Sequence, residues 1–216
     1  MNHKIQLGVK RVLDIVASGV ALLLLWPLFA LIAILIKLES PGPVFFLQPR
    51  AGYRGERFRM WKFRTMVLNA EAAGSGYYVG RDDARITRVG KILRRFSLDE
   101  LPQLLQILAG KMSVVGPRPG LPYHVGHYSA EQVRRMDVRP GLTGWSQVNG
   151  RNQISWPERI EKDVWYIDHF SLWLDSKIII RTFWVWLSGE GLYGARDNFF
   201  FSGQDDIPSP RGGIND

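Results

Sequence analysis

The sequence predicts an α/β chain, mostly α, in which an N-terminal re-entrant membrane helix hairpin packs on a small cytoplasmic domain with interfacial amphipathic helices. Three observations predict it. The run from Val12 to Ile36 is apolar almost throughout, is interrupted at Trp26-Pro27, and has basic residues at both ends. Phe58 to Met66 alternates with the period of a strand. Apolar residues then recur at helical spacing in the second half of the chain. These features divide the 216 residues into a membrane element over 1–40, a folded domain over 41–190 and a flexible tail over 191–216.

At ~1.5 Å per residue the first run is roughly 38 Å long, more than the ~30 Å of hydrocarbon a spanning helix must cross. Its length and the lack of a small-residue cleavage site argue against a signal peptide. A spanning helix places its positive charge on one side. Here Lys4, Lys10 and Arg11 precede the run, and Lys37, Arg50, Arg54, Arg57 and Arg59 follow it. Pro27 removes a backbone hydrogen bond near the middle and disfavours straight geometry by ~3 kcal/mol. A helix that enters the bilayer, turns at Pro27 and leaves by the same face accounts for both observations, and Pro27 is its hinge.

Glu39-Ser40-Pro41-Gly42-Pro43 breaks the chain. Val44 to Gln48 reads as a short strand, Pro49 to Arg54 as a turn, and Phe58 to Met66 as a second strand that puts Lys62 and Arg64 on one face. Those two cations suit phosphate binding, and equally suit a solvated strand edge that resists pairing. Asn69 to Arg81 is a glycine-rich loop, and Asp82-Asp83-Ala84-Arg85 opens a helix leading to Val89-Gly90.

Composition bounds the function. Hydrophobic residues make up 46% of the chain, which supports a packed core. A net charge of +8 and a pI near 9.9 point to a polyanionic partner: nucleic acid, anionic lipid or a phosphorylated substrate. With no cysteine there is no disulfide framework, thiolate nucleophile or thiolate metal site.

The stretch from Arg94 to Gly110 is the centre of the chain. Leu101, Leu104, Leu105 and Leu108 recur as the apolar face of a buried helix that stops at Ala109-Gly110. Ser97 and Glu100 match a capping box, although Pro102 falls just beyond the first turn, where its missing N–H matters. Asp99 and Glu100 then lie near the positive end of the helix dipole. Two adjacent acids beside Arg94 and Arg95 can hold a divalent metal, attack a phosphorus, or cap a helix.

Arg118 stands between Pro117 and Pro119, in a stiff loop that suits a planar fork for bidentate phosphate binding. His124 and His127 read as a surface pair, and Glu131 to Asp137 as a short charged helix. Arg139 to Arg151 is a glycine-punctuated loop whose polar groups could read a ligand. Trp156 to Ile167 and Ser171 to Leu187 are helical, and the tryptophans of the second suit a membrane interface.

Four ordered motifs, Lys62-Phe63-Arg64-Thr65-Met66, Ser97-Leu98-Asp99-Glu100-Leu101-Pro102-Gln103, Met112-Ser113-Val114-Val115-Gly116-Pro117-Arg118-Pro119 and Arg139-Pro140-Gly141-Leu142-Thr143-Gly144-Trp145, resemble the bacterial sugar transferases, the monotopic phosphoglycosyl transferases. The resemblance covers about residues 7 to 190. It implies transfer of a sugar 1-phosphate from a UDP-sugar to a polyprenyl phosphate at the cytoplasmic face of the bacterial inner membrane, with release of UMP. It also implies an Asp99 nucleophile, with Glu100 as its partner at Mg²⁺, and phosphate binding by Arg118. Arg94 matches a basic position before the dyad, and Lys62 and Arg64 join it as substrate-binding candidates. Where some members have a Ser-Pro pair at the hairpin bend, this chain has Trp26-Pro27. The partners expected are the UDP-sugar, polyprenyl phosphate and membrane lipid, without nucleic acid, and a homo-oligomer is left open. A membrane-anchored nucleic-acid module would account for the charge but not for the dyad or the broken apolar run.

Overall fold

The computed structural model describes residues 3–70, 79–80, 83–188, 191 and 194. The elements in order are α1 (His3–Glu39), β1 (Phe45–Ala51), β2 (Arg57–Phe63), α2 (Arg88–Arg95), a 3₁₀ turn (Leu98–Glu100), α3 (Gln103–Leu108), β3 (Ser113–Val115), α4 (Pro122–Val125), α5 (Ala130–Val133), β4 (Gly141–Thr143), α6 (Trp145–Val148), α7 (Trp156–Asp168) and α8 (Leu172–Ser188). Helix dominates, and the sheets are small: β1 and β2 form an antiparallel ribbon, β3 and β4 a parallel pair. The glycine-rich segment expected after Asn69 and the tail expected beyond 190 lie largely outside the described residues.

α1 is long and apolar enough to cross a membrane. It runs without interruption through Pro27, so the hinge leaves no gap in the helix. Residues on both sides of the proline pack on one core cluster: Ala21, Leu22 and Leu25 before it, Leu28, Phe29, Ile32 and Ile36 after it. Polar contacts fasten each end. The Arg11 guanidinium donates to the carbonyls of Ile107 and Leu108 at the end of α3 (2.6 and 2.9 Å). The buried Asp14 carboxylate accepts from the Ser113 hydroxyl (2.7 Å) and the Val114 N–H (3.0 Å) of β3. At the other end, the Glu39 carboxylate accepts from the N–H groups of Arg88 and Val89 (2.6 and 2.9 Å), satisfying donors that the start of α2 leaves without helical partners.

The main core, Met60, Phe63, Leu93, Leu101, Leu104, Ile107 and Met112 with Ile32 and Ile36, lies between α1, the ribbon, α2 and α3. A second cluster, Val115, Val148, Tyr166 and Ile178, seats α7 and α8 against the parallel pair. α8 buries Asp175, Ile178 and Thr182, and exposes Trp173, Ile180, Phe183, Trp184 and Leu187.

Several expectations need correction. β1 extends through Pro49, and the reversal falls at 52–56 rather than at Pro49 to Arg54. Ala51 donates its N–H away from β2, to the Gly120 carbonyl (2.9 Å). By strand alternation Pro49 faces the same edge, so its missing donor costs the ribbon no bond. β2 stops at Phe63 instead of Met66, and Met66 forms an isolated bridge with Ile86. The helix expected from Asp82 starts at Arg88, capped by the Thr87 hydroxyl.

The single helix expected over 94–110 is broken in three. α2 ends at Arg95, Ser97 turns left-handed (φ 53°) without capping, and α3 begins only after Pro102. The buried face becomes Leu101, Leu104 and Ile107, while Leu105 and Leu108 are exposed. His124, expected at the surface, is buried against Tyr123 and Trp156.

Candidate active site

Asp99 and Glu100 occupy the 3₁₀ turn between α2 and α3, three and two residues before Pro102. Ser97 supplies the tight reversal between α2 and this turn, and its buried hydroxyl accepts from Arg151 Nη2 (3.1 Å). The dyad therefore sits ahead of α3, not within a capping box on it.

Arg118 reaches the dyad from the loop after β3. Gly116 donates to the Thr143 carbonyl (2.9 Å), and the two chain segments nearly touch there. A Cβ at Gly144 would lie 2.1 Å from the Gly116 carbonyl oxygen, and one at Gly116 would lie 2.5 Å from that of Arg139. The prolines then stiffen the loop, and two arginines hold its carbonyls: Arg135 donates to Arg118 (2.7 Å), and Arg50 to Pro119 (3.1 Å). Arg135 is itself anchored on the buried Asp163 (2.5 Å), which also accepts from Ser146 (2.7 Å).

Glu100 is gripped by two cations. Arg118 forks onto it (2.5 and 3.1 Å), and Lys62 from β2 donates to the same Oε1 (2.8 Å). Asp99, 9% exposed, receives no hydrogen bond from any described residue. Its carboxylate borders a cleft of about 400 Å³, whose rim also carries Lys62, Thr65 and Arg94. Arg94 is steadied there by Nε donation to the Thr65 hydroxyl (2.9 Å). Arg64 borders the same cleft, but its Nη atoms are committed to the carbonyls of Pro41 and Ser40 (2.5 and 2.9 Å), so it clamps the chain leaving α1.

The charges separate the two acids. Burial pushes the Asp99 carboxyl above the usual range; the Lys62 cation opposes this, and the Glu100 charge adds to it. Burial also acts to raise Glu100, but Arg118 and Lys62 together outweigh it and hold that carboxyl well below its ordinary value. Lys62 is lowered by burial and by Arg118, against the pull of Glu100. The result is one fixed anion inside a cationic clamp, beside a second carboxylate with higher proton affinity and open lone pairs. Such a carboxylate can serve as nucleophile, base or metal ligand.

Among the described residues no group of three or more His, Asp or Glu could hold a metal by itself. A magnesium ion, which takes one or two carboxylates plus substrate phosphates and waters, asks for less. Asp99 fits that demand, whereas both Glu100 oxygens already accept from cations.

Sequence reasoning left Arg135, Arg159 and Asp163 unmarked, and marked Arg151 only as part of a loop. All four line a second, smaller pocket with Arg118, Asn152 and Trp156. Burial is the main reason that Arg159 is pulled down to about 10, followed by the charge of Arg118. A signal was present in α7, where Arg159 and Asp163 share the helical face of Trp156, Ile160 and Val164.

The sequence matches the profile of the bacterial sugar transferases over residues 5–189. It is 43% identical over 183 residues to the uncharacterized sugar transferase EpsL of Bacillus subtilis, covering 85% of this chain and 89% of that one. It is 48% identical over 181 residues to the UDP-glucose:undecaprenyl-phosphate glucose-1-phosphate transferase of Caulobacter vibrioides, covering 80% and 67%. With the UDP-N-acetylgalactosamine-undecaprenyl-phosphate N-acetylgalactosaminephosphotransferase of Aeromonas hydrophila the identity is 43% over 194 residues. The match there takes in 87% of this chain but only 45% of the longer relative. The profile match over most of the chain, with Arg118 of the Pro-Arg-Pro loop and Lys62 of β2 both bound to the dyad, places this chain in the bacterial sugar transferase family.

Proposed function

We propose that this chain transfers a sugar 1-phosphate from a UDP-sugar to a polyprenyl phosphate, with Asp99 forming a covalent phosphosugar intermediate. The observation that carries this reading is the contrast within the dyad: Glu100 is locked by Arg118 and Lys62, while Asp99 is buried yet has no hydrogen-bond donor among the described residues. An Asp99 oxygen attacks the sugar-bearing phosphorus; a P–O bond forms, and the bond to UMP breaks, its electron pair leaving on the UMP phosphate. An oxygen of the polyprenyl phosphate then attacks the same phosphorus and restores the carboxylate.

Arg118 and Lys62 stand where a diphosphate would bring charge, and Arg94 flanks the approach. Mg²⁺ would be held by Asp99 with substrate oxygens, and when bound it supplies neutralisation of the diphosphate. Glu100 acts in this scheme by fixing the two cations. Relatives named for UDP-glucose and UDP-N-acetylgalactosamine support a UDP-sugar donor and an undecaprenyl-phosphate acceptor.

The membrane reading rests on tethering. Both ends of α1 fasten to the same domain, through Arg11 and Asp14 at one end and Glu39 at the other. A helix crossing the bilayer once would carry its ends to opposite sides, so α1 enters and leaves by one face, that of the catalytic domain. Basic flanks support a cytoplasmic location for that face, and the exposed aromatics of α8 suit the interface of the inner membrane.

Incubation with a UDP-sugar and Mg²⁺ without lipid should release UMP up to one equivalent and leave a peptide containing Asp99 heavier by a sugar phosphate. Asp99→Asn should do neither while keeping its fold. Release of UMP only after lipid is added, with no adduct trapped, would favour direct transfer in a ternary complex. Because the chain has no cysteine, Lys4→Cys and Ser40→Cys can be labelled singly in inverted vesicles. Both should react from the cytoplasmic side.

A further inference from the structure

In-line displacement constrains where the second substrate goes. If Asp99 takes the phosphosugar from UMP, the acceptor oxygen must attack opposite the Asp99–phosphorus bond, in the place the UMP oxygen vacated. The two phosphates therefore share a position, and the substrates can diverge only beyond them. Two pockets leave the cluster of Asp99, Glu100 and Arg118, with opposite linings. One is polar and bordered by Arg118, Arg135, Arg151, Arg159 and Trp156. The other, about 400 Å³, is lined by Asp99, Lys62 and Arg94 together with apolar side chains that include Phe45, Phe46, Val67 and Leu68.

We infer that the second pocket receives the first isoprenoid units of the acceptor. The inference rests on the transfer reaction proposed above. Three observations commit the cleft to an amphiphile with an anionic head. Its lining is cationic around Asp99, where it includes Lys62 and Arg94. Much of the rest of its lining is apolar, and part of that is open to solvent, Val67 being 46% and Leu68 49% exposed. It also reaches Pro43, four residues past the end of α1, where Leu68 packs over Gly42. A lipid chain can thus pass from the bilayer to the acid without crossing the polar face of the domain. Phe46, paired with Lys62 across the ribbon, stands where head and tail meet.

The test compares Leu68→Gln and Phe46→Ala with wild type, using whichever of UDP-glucose and UDP-N-acetylgalactosamine is turned over. The acceptors are undecaprenyl phosphate and the shorter farnesyl and geranyl phosphates in the same detergent. The lipid-free UMP burst should stay within about twofold, while KM for undecaprenyl phosphate rises roughly tenfold and the preference for longer acceptors shrinks. Equal losses with all three acceptors, or an equal fall in burst and transfer, would reduce these residues to packing and overturn the inference. If wild type gives no burst at all, the covalent reading fails. The chain-length comparison in steady state still decides the pocket.

Discussion

Glu100 holds its charge because Arg118 and Lys62 stand against it, and that charge in turn bears on Asp99. Removing it should ease ionisation of Asp99, since a like charge disappears and the two cations remain. With an Asp99 carboxyl raised by burial and by Glu100, the acid limb of kcat/KM in wild type should lie above the ordinary aspartate range. In Glu100→Gln that limb should move to lower pH while the plateau falls, because the cations lose their fixed partner. An unmoved limb would remove Asp99 from the titration. Arg118→Lys keeps a charge but not the fork, and should lower kcat/KM about ten- to a hundredfold, the equivalent of roughly 1.5–3 kcal/mol. At this scale the sequence marked Asp99, Glu100 and Arg118, and the structure brings the three together. The sequence was uninformative about commitment: Lys62 and Arg64 look alike on one strand face, yet one binds Glu100 and the other two carbonyls.

Elements with a regular period were legible before the structure: β2, α7 and α8 fall within a few residues of their expected ranges. Those set by contacts distant in sequence were not. Nothing local to Ser113–Val115 or Gly141–Thr143 announces a parallel pair, because each strand is three residues long and its partner lies across α4 and α5. The glycines at 116, 141 and 144 mark it in retrospect, since Cβ atoms there would strike backbone within 2.5 Å. Gly144→Ala should therefore part β4 from the Arg118 loop and lower thermal stability by more than about 2 kcal/mol, read as a shift in Tm together with a loss of turnover. The buried acid on α1 makes a second case. Asp14→Leu raises the hydropathy of the helix but leaves the Val114 N–H without its acceptor, at a cost of roughly 1–3 kcal/mol. Membrane association should persist while stability and activity fall, a pairing that carbonate extraction and thermal unfolding in detergent can check.

Across the whole molecule, the two halves of the chain meet at charge buried in polar frames. His124 is the clearest titrating example. Burial, then Arg50 and Arg135, lower it to about 3, against an ordinary value of 6.5. Below pH ~6.5 the unfolded chain takes up a proton that the folded one refuses, so stability falls progressively from there towards pH ~3, by at most on the order of 5 kcal/mol. Thermal unfolding at descending pH should display this loss, and His124→Phe should lessen its slope. A surface histidine, as the sequence suggested, would give no such slope. The sequence could not reveal the burial because the surrounding groups, Trp156, Arg135 and Arg50, come from three other elements.

The two fastenings of α1 bear on how this enzyme meets bilayers of different thickness. A helix that crosses a membrane answers a thicker or thinner bilayer by tilting. α1 has little such freedom, since Arg11 and Asp14 hold one end to α3 and β3, and Glu39 holds the other to α2. On the proposed reading, in which α1 dips from one face, the segment meets a single leaflet and has no opposite surface to match. Turnover in nanodiscs should then change little as acyl chains are lengthened, and should respond instead to headgroups around α8. A sharp optimum in acyl length would mean that the far leaflet is being sensed after all.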